Sequence, residues 1–296
     1  MILPPHFYIF GGGTPATRSP ALSSTDPTDG PLPELRPISR TQRSLPTSRT
    51  VLALILREMA SRYGRSPGGY VWAVLEPLGM ILILAFAFSL VLSTPSLGTS
   101  FILFYATGYL PFNLYQNVSL MVARAIMFSK PLLFYPSVTW VDAILARFLL
   151  NTLTAVMVSY ILLTSILIVI DTRVVLDLVP VVEAMALAAL LGLGVGVLNC
   201  LLMGLFPVWE TVWSIFTRPL FLASGIFYLY EDMPQLAQDI LWYNPLLHVL
   251  GIMRTGFYPM YAPQYVSPVF VLMVALGTLT MGLLLLRRYH KDILND

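Results

Sequence analysis

Four stretches of this chain, residues 77–123, 148–170, 184–209 and 255–286, contain no Asp, Glu, Lys or Arg. A hydrocarbon core about 30 Å thick is crossed by about 20 apolar residues in a helix, so the pattern predicts membrane spans. We read six of them: 73–92, 101–121, 145–170, 178–206, 209–230 and 266–286. The uncharged residues 93–100, with Pro95 and Gly98, join the first two, and a brief polar turn at 171–177 joins the third and fourth. The fifth differs from the others because Arg218 and Pro219 stand in its interior, and either can break a span. Between spans two and three, residues 122–141 hold Arg124, Lys130, Pro131 and Pro136 and read as a loop with short helices.

Ahead of the first span the pattern changes. Within 48–69, Val51, Leu52, Leu54, Ile55, Leu56 and Met59 alternate with Arg57, Glu58 and Arg62, which predicts an amphipathic helix lying in the membrane interface. Gly64, Pro67, Gly68 and Gly69 end it before Tyr70 and Trp72, aromatics suited to headgroup depth. Residues 1–47 are rich in Pro, Ser and Thr and read as a disordered tail without a site. Residues 1–13 lack the Lys or Arg that opens a signal peptide. The expected fold is an all-α membrane protein, with 70–296 as a six-span domain.

Basic residues favour the cytoplasmic side. With six crossings, Arg57, Arg62, Arg65, Arg124, Lys130, Arg147, Arg287, Arg288 and Lys291 flank the inner side, and Arg173 and Arg254 the outer. Both termini are therefore expected in the cytoplasm.

Composition agrees with lipid as the solvent: 57% of residues are hydrophobic and 11% charged, against about 25% charged in soluble domains. A net charge of +2, with the bases at span ends, gives no footprint for nucleic acid. Cys200 is the one cysteine, and His6, His248 and His290 are far apart, so no metal site and no His-based catalytic pair is expected. A Walker loop needs lysine after glycine. Lys130 follows Ser129 and Lys291 follows His290, so no cofactor is expected on this chain and it is not read as an enzyme. An ion-coupled transporter would show mid-span acids and inverted repeats, whereas Glu76 and Glu183 lie near span ends.

The run Leu56-Arg57-Glu58-Met59-Ala60-Ser61-Arg62-Tyr63-Gly64, then Gly69-Tyr70-Val71-Trp72-Ala73-Val74-Leu75-Glu76-Pro77, resembles the capsule-polysaccharide export permeases of ATP-binding-cassette transporters. Asn244-Pro245-Leu246-Leu247-His248, with Arg254 beyond it, resembles that family's outer segment. The resemblance runs from Arg49 to the C-terminus. It implies a homodimer of six-span permeases in the bacterial inner membrane, two separate ATPase subunits that bind ATP and Mg, and a lipid-linked polysaccharide as cargo. Periplasmic and outer-membrane export proteins are further implied partners. O antigen, teichoic acid or a drug would suit the same architecture.

On that resemblance the 122–141 loop holds a coupling helix docking on the ATPase, with Arg124, Phe128, Lys130, Leu133, Phe134 and Tyr135 as its contacts, joined by Arg57, Glu58 and Arg62 of the interfacial helix. A glycan path needs aromatic faces that grip sugar weakly. The candidates are Tyr105, Tyr109, Tyr115, Trp213, Phe221, Phe227 and Tyr228, with Arg218 as a cation that either faces the path, pairs with Glu210 or snorkels to the interface. Residues 229–265 resemble re-entrant outer helices, with Glu231, Asp232, Trp242, Tyr243 and Asn244 as an outer gate.

Overall fold

The computed structural model describes residues 46–63, 68–69, 71–133, 138–170 and 175–295. Residues 1–45 of the expected tail lie outside them, as do Phe134 and Tyr135 and the side chain of Arg62. The ordered elements among the described residues are helical: α1 (Pro46–Tyr63), α2 (Val71–Ser89), α3 (Phe101–Ala123), α4 (Ala125–Leu133), α5 (Trp140–Val169), α6 (Leu178–Leu205), α7 (Trp209–Ala223), α8 (Gln235–Leu241), α9 (Pro245–Thr255) and α10 (Pro268–Asn295), with a 3-10 turn at Tyr230–Asp232.

Local chemistry sets the starts of these helices. Ser100 caps α3 by accepting from the Leu103 N–H at 3.4 Å. Thr139 and Asp142 form a reciprocal capping box on α5, with Asp142 N donating to Thr139 Oγ1 at 3.2 Å and Thr139 N donating to Asp142 Oδ2 at 3.0 Å. Asp177 caps α6 through the Val179 N–H at 3.0 Å. Each cap satisfies an amide that lipid or protein interior would leave without a partner.

Among the described residues, α2, α5, α6 and α10 are long and apolar enough to cross a membrane. α3 has the length, 23 residues, but carries Thr107, Asn113, Gln116, Asn117 and Ser119. α7 differs from the expected span: its helix stops at Ala223 after 15 residues, about 22 Å. The reason lies just beyond it, where Gly225 takes φ +84° and turns the chain.

α6 is the centre of the bundle. It packs on α3 along one side and α10 along another, while α5 and α2 flank α3, and α9 closes one end against α6 and α3. Association in lipid depends on close backbone approach. Gly192 and Gly196, one turn apart on α6, supply it: a Cβ at Gly196 would fall 2.9 Å from the Ser119 carbonyl and 2.8 Å from Val122 Cβ. α1 lies against α5, where Val51 and Leu54 bury themselves on Ala146. α7 has no buried residue at all, in contrast with the sixteen on α3, which include Tyr105, Tyr109 and Tyr115.

Candidate functional site

A groove of about 860 Å³ separates α3 from α7. α3 contributes Tyr109, Tyr115, Gln116, Ser119, Leu120 and Arg124; α7 contributes Glu210, Thr211, Trp213, Ser214, Thr217, Arg218, Phe221 and Leu222; Met80 of α2 and Met203 of α6 complete the lining. Of the residues expected on a glycan path, Tyr109, Tyr115, Trp213, Arg218 and Phe221 meet here. Tyr105, Phe227 and Tyr228 do not line it. Tyr105 is 1% exposed and lies under Phe88 at 5.3 Å between ring centroids. Phe88 continues to Phe227 at 5.6 Å, Phe227 to Phe221 at 5.2 Å and Phe221 to Phe112 at 5.1 Å. This run of rings leads away from Phe221 toward the end of the groove opposite Arg124. Tyr228 contributes its carbonyl, not its ring, to a neighbouring contact.

Sequence reading overlooked the groove's polar members: Gln116, Ser119, Thr211, Ser214 and Thr217. On α3 a ladder of side chains runs beside it, Asn117 Nδ2 donating to Asn113 Oδ1 at 2.9 Å and Asn113 Nδ2 to Tyr109 Oη at 3.2 Å. Their spacing of four was the available signal, since such residues share one helix face. Arg218 is exposed in the groove. Its alternative partner, Glu210, is engaged elsewhere: the Glu210 carboxylate accepts a hydrogen bond from Arg124 Nη2.

The end of the bundle that carries Arg57, Lys130 and Arg287 has a second construction. Phe128 of α4 sits between two guanidinium groups, Arg147 of α5 at 4.2 Å from the ring centroid and Arg57 of α1 at 5.3 Å. Arg147 Nε lies 3.2 Å from Glu58 Oε2, and its Nη1 donates to the Met121 carbonyl at 2.9 Å. Glu58, expected on the polar side of α1, is instead 6% exposed. The reason is Arg147, which the hydropathy pattern assigned to a flank although it stands inside α5, where it needs a carboxylate. Arg124 and Lys130 line a neighbouring cavity of about 650 Å³ with Phe128, Met203, Pro207, Glu210 and Ile293. Leu133 packs half-buried against the core.

The segment between α7 and α10 forms the opposite end. Arg254, 1% exposed, donates from Nη1 to the Tyr228 carbonyl at 3.1 Å and from Nη2 to the Ile226 carbonyl at 3.2 Å, and lies over Phe104 at 4.4 Å. Asn244 has two tasks: its Oδ1 caps α9 by accepting from Leu246 N at 3.1 Å, and its Nδ2 donates to the Ala223 carbonyl at 2.8 Å. Trp242 stacks on Phe270 at 5.1 Å and its carbonyl faces His248 Nε2 at 2.7 Å. Ser267 N donates to His248 Nδ1 at 3.2 Å. These two bonds together require the neutral ring with its proton on Nε2, and burial holds the imidazole below its ordinary value.

Glu231 belongs to another group. It accepts from Tyr261 Oη at 3.2 Å, Tyr261 neighbours Tyr265 at 3.4 Å between hydroxyls, and Tyr265 stacks on Tyr230 at 4.2 Å. Burial pushes the Tyr265 phenol up to about 12. Asp232 and Tyr243 are exposed. The expected gate residues therefore divide into two neighbouring clusters. Among the described residues, no group of three or more His, Cys, Asp and Glu could hold a metal ion.

Comparison with known proteins bears on this arrangement. A family model described as ABC-2 type transporter matches residues 49–258. The chain is 31% identical over 247 residues to the polysialic acid transport protein KpsM of Escherichia coli, covering 83% of this chain and 96% of that protein. It is 26% identical over 260 residues to the capsule polysaccharide export inner-membrane protein CtrC of Neisseria meningitidis, covering 88% and 98%. With the capsule polysaccharide export inner-membrane protein BexB of Haemophilus influenzae the identity is 28% over 246 residues, covering 83% and 92%.

Proposed function

The chain belongs to the ABC-2 type transporter family, and we propose that it is the permease subunit through which an ATP-driven exporter passes lipid-linked capsular polysaccharide across the inner membrane. The observation that carries this reading is the groove between α3 and α7. Trp213 and Phe221 offer it aromatic faces, Tyr109 and Tyr115 lie in its wall at 8% and 4% exposure, and between them stand the amide of Gln116 and the hydroxyls of Thr211, Ser214 and Thr217. Rings cover the apolar faces of sugars, while hydroxyls and amides exchange hydrogen bonds with the polymer as it slides.

The working unit is a homodimer with two ATPase subunits. α7 supports this reading: it has no buried residue, and Ile215, Phe216 and Leu222, each 61% exposed, offer a second copy an apolar surface beside the groove. Six crossings, with α3 and the stretch from α7 to the 3-10 turn at Tyr230–Asp232 added to the four apolar helices, would put both termini in the cytoplasm with the basic end of the bundle. α8 and α9 then re-enter from the outer side. α4 is the coupling helix, offering Phe128, 40% exposed, together with Arg124 and Lys130, to the ATPase. ATP and Mg bind on that partner, and outward transfer continues through periplasmic and outer-membrane proteins.

The test is co-expression of the chain with the ATPase encoded beside it, followed by ATPase assays in nanodiscs and by measurement of polysaccharide on the cell surface. Co-purification, activity that Lys130→Glu weakens, and loss of surface polysaccharide when this chain is deleted are the expected results. Absence of any cassette ATPase partner would overturn the reading.

A further inference from the structure

The two cavities are neighbours that share a wall. Arg124, Met203 and Glu210 line both the 860 Å³ groove and the 650 Å³ cavity at the basic end. In that wall the Arg124–Glu210 pair is the polar link, joining the residue that caps the end of α3 to the first turn of α7. We propose that this pair is a latch between the two cavities, and that an anionic group on the cargo opens it by taking Arg124 from Glu210. The proposal rests on the permease reading and adds to it the charge that the entry recognises.

Three features suit the pair to opening. First, both side chains are about half exposed, 47% and 53%, and ion pairs in contact with water are weak. Second, neither charge is buried when the pair parts: Glu210 stays at the N-terminal, positive end of α7, and Arg124, at the junction of α3 and α4, remains half exposed to water. Separation therefore strands neither charge. Third, α7 is held at its two ends rather than along its length. Trp209 Nε1 donates to Asn199 Oδ1 at 2.9 Å and Trp209 N to the Phe206 carbonyl at 2.9 Å, while no residue of α7 is buried. Phe221 and the Ala223 carbonyl hold the other end, so releasing Glu210 frees the stretch between Trp209 and Phe221 to shift.

The charge of the lining selects the opener. Arg147 is already matched by Glu58, which leaves Arg124 and Lys130 against Glu210 in the cavity at the basic end, and Arg124 and Arg218 against Glu210 in the groove. Both spaces are net cationic and draw in anions. A neutral sugar offers nothing that replaces a carboxylate on a guanidinium, whereas a phosphate or a sugar carboxylate binds it with two parallel hydrogen bonds, more than the single contact Glu210 makes. The anion is either the phosphate that joins glycan to lipid or an acidic sugar of the repeat.

The experiment reads access to the groove directly. In the full chain with Cys200→Ala, a cysteine is placed in the groove by Thr217→Cys or in the basic-end cavity by Met127→Cys. Inside-out vesicles from cells that also express the ATPase are treated with membrane-impermeant thiosulfonates, one anionic and one cationic. Glu210→Gln is expected to speed labelling of Thr217→Cys by both reagents about fivefold, the factor that corresponds to a weak ion pair, and to leave Met127→Cys unchanged. Inorganic pyrophosphate or glucuronate is expected to give the same rise with the latch intact, whereas glucose, or chloride at matched ionic strength, gives none. A response to pyrophosphate alone assigns the lipid-linked end, and a response to glucuronate alone the acidic repeat. Unchanged labelling in Glu210→Gln overturns the latch, as does an equal rise at Met127→Cys. A rise with neither anion overturns its opener. Failure of the permease reading shows separately, as unaltered surface polysaccharide after deletion of the chain.

Discussion

Arg147 and Arg254 occupy opposite ends of the bundle and look alike at first. Each is buried, each lies over a phenylalanine ring, and each donates to the main chain. The difference is the counter-charge. Arg147 faces Glu58 across two helices that are far apart in sequence, whereas Arg254 has no carboxylate within ion-pair distance among the described residues and is held by the carbonyls of Ile226 and Tyr228. An ion pair joins separate bodies: α1, α4 and α5 meet at Arg147 and Phe128. A guanidinium on the carbonyls of two residues that flank a third fixes the shape of one stretch of chain, here the reversal after α7. One end thus ties three helices to one another, and the other holds the form of a single segment.

The largest effect should come from removing the carboxylate. Glu58→Gln leaves Arg147 buried without its counter-charge and should cost about 3 kcal/mol, seen as the greatest fall in melting temperature of the detergent-solubilised protein. Adding Arg147→Met should recover most of it, and a silent Glu58→Gln would erase the distinction between the two ends. Arg254→Met comes next. It strips two carbonyls of their donor, should cost about 2 kcal/mol, and should speed proteolysis between α7 and α8.

The third test is pH. The folded state binds His248 in its neutral form, so its contribution is full above the ordinary value of 6.5 and is lost as pH falls from there through its lowered folded value. The melting temperature should decline between pH 7.5 and 5.5, and His248→Gln should flatten that decline; an unchanged slope would remove His248 from the account. Smallest of all, Arg124→Ala should change stability by less than about 1 kcal/mol while it alters transport, because that pair is exposed.

Much of this was legible in the chain, and the failures have physical causes. Charge-free runs marked α2, α5, α6 and α10, because a period-free apolar stretch of that length has little alternative to a span. α7 was read as seven residues longer than its helix because hydropathy does not register the positive φ that Gly225 adopts. Tyr105 and Tyr109 share a helix face by spacing, yet only Tyr109 reaches the groove, since Phe88 of another helix covers Tyr105. The partner of Glu210 stands 86 residues away in sequence, and nothing local announces it. Glu58 illustrates the same limit: amphipathic spacing gave its helix, but not the arginine that draws it inward.

Asn244 adds a consequence for the ageing of the molecule. Asparagine commonly deamidates when the next residue's backbone nitrogen attacks the side-chain amide and closes a succinimide. Here the next residue is Pro245, which has no N–H to lose, so that route is closed. The protection matters at this site, because conversion to aspartate would keep the oxygen that caps α9 but replace the donor on the Ala223 carbonyl with a second acceptor. The joint between α7 and α9 is thereby protected from that route of chemical change.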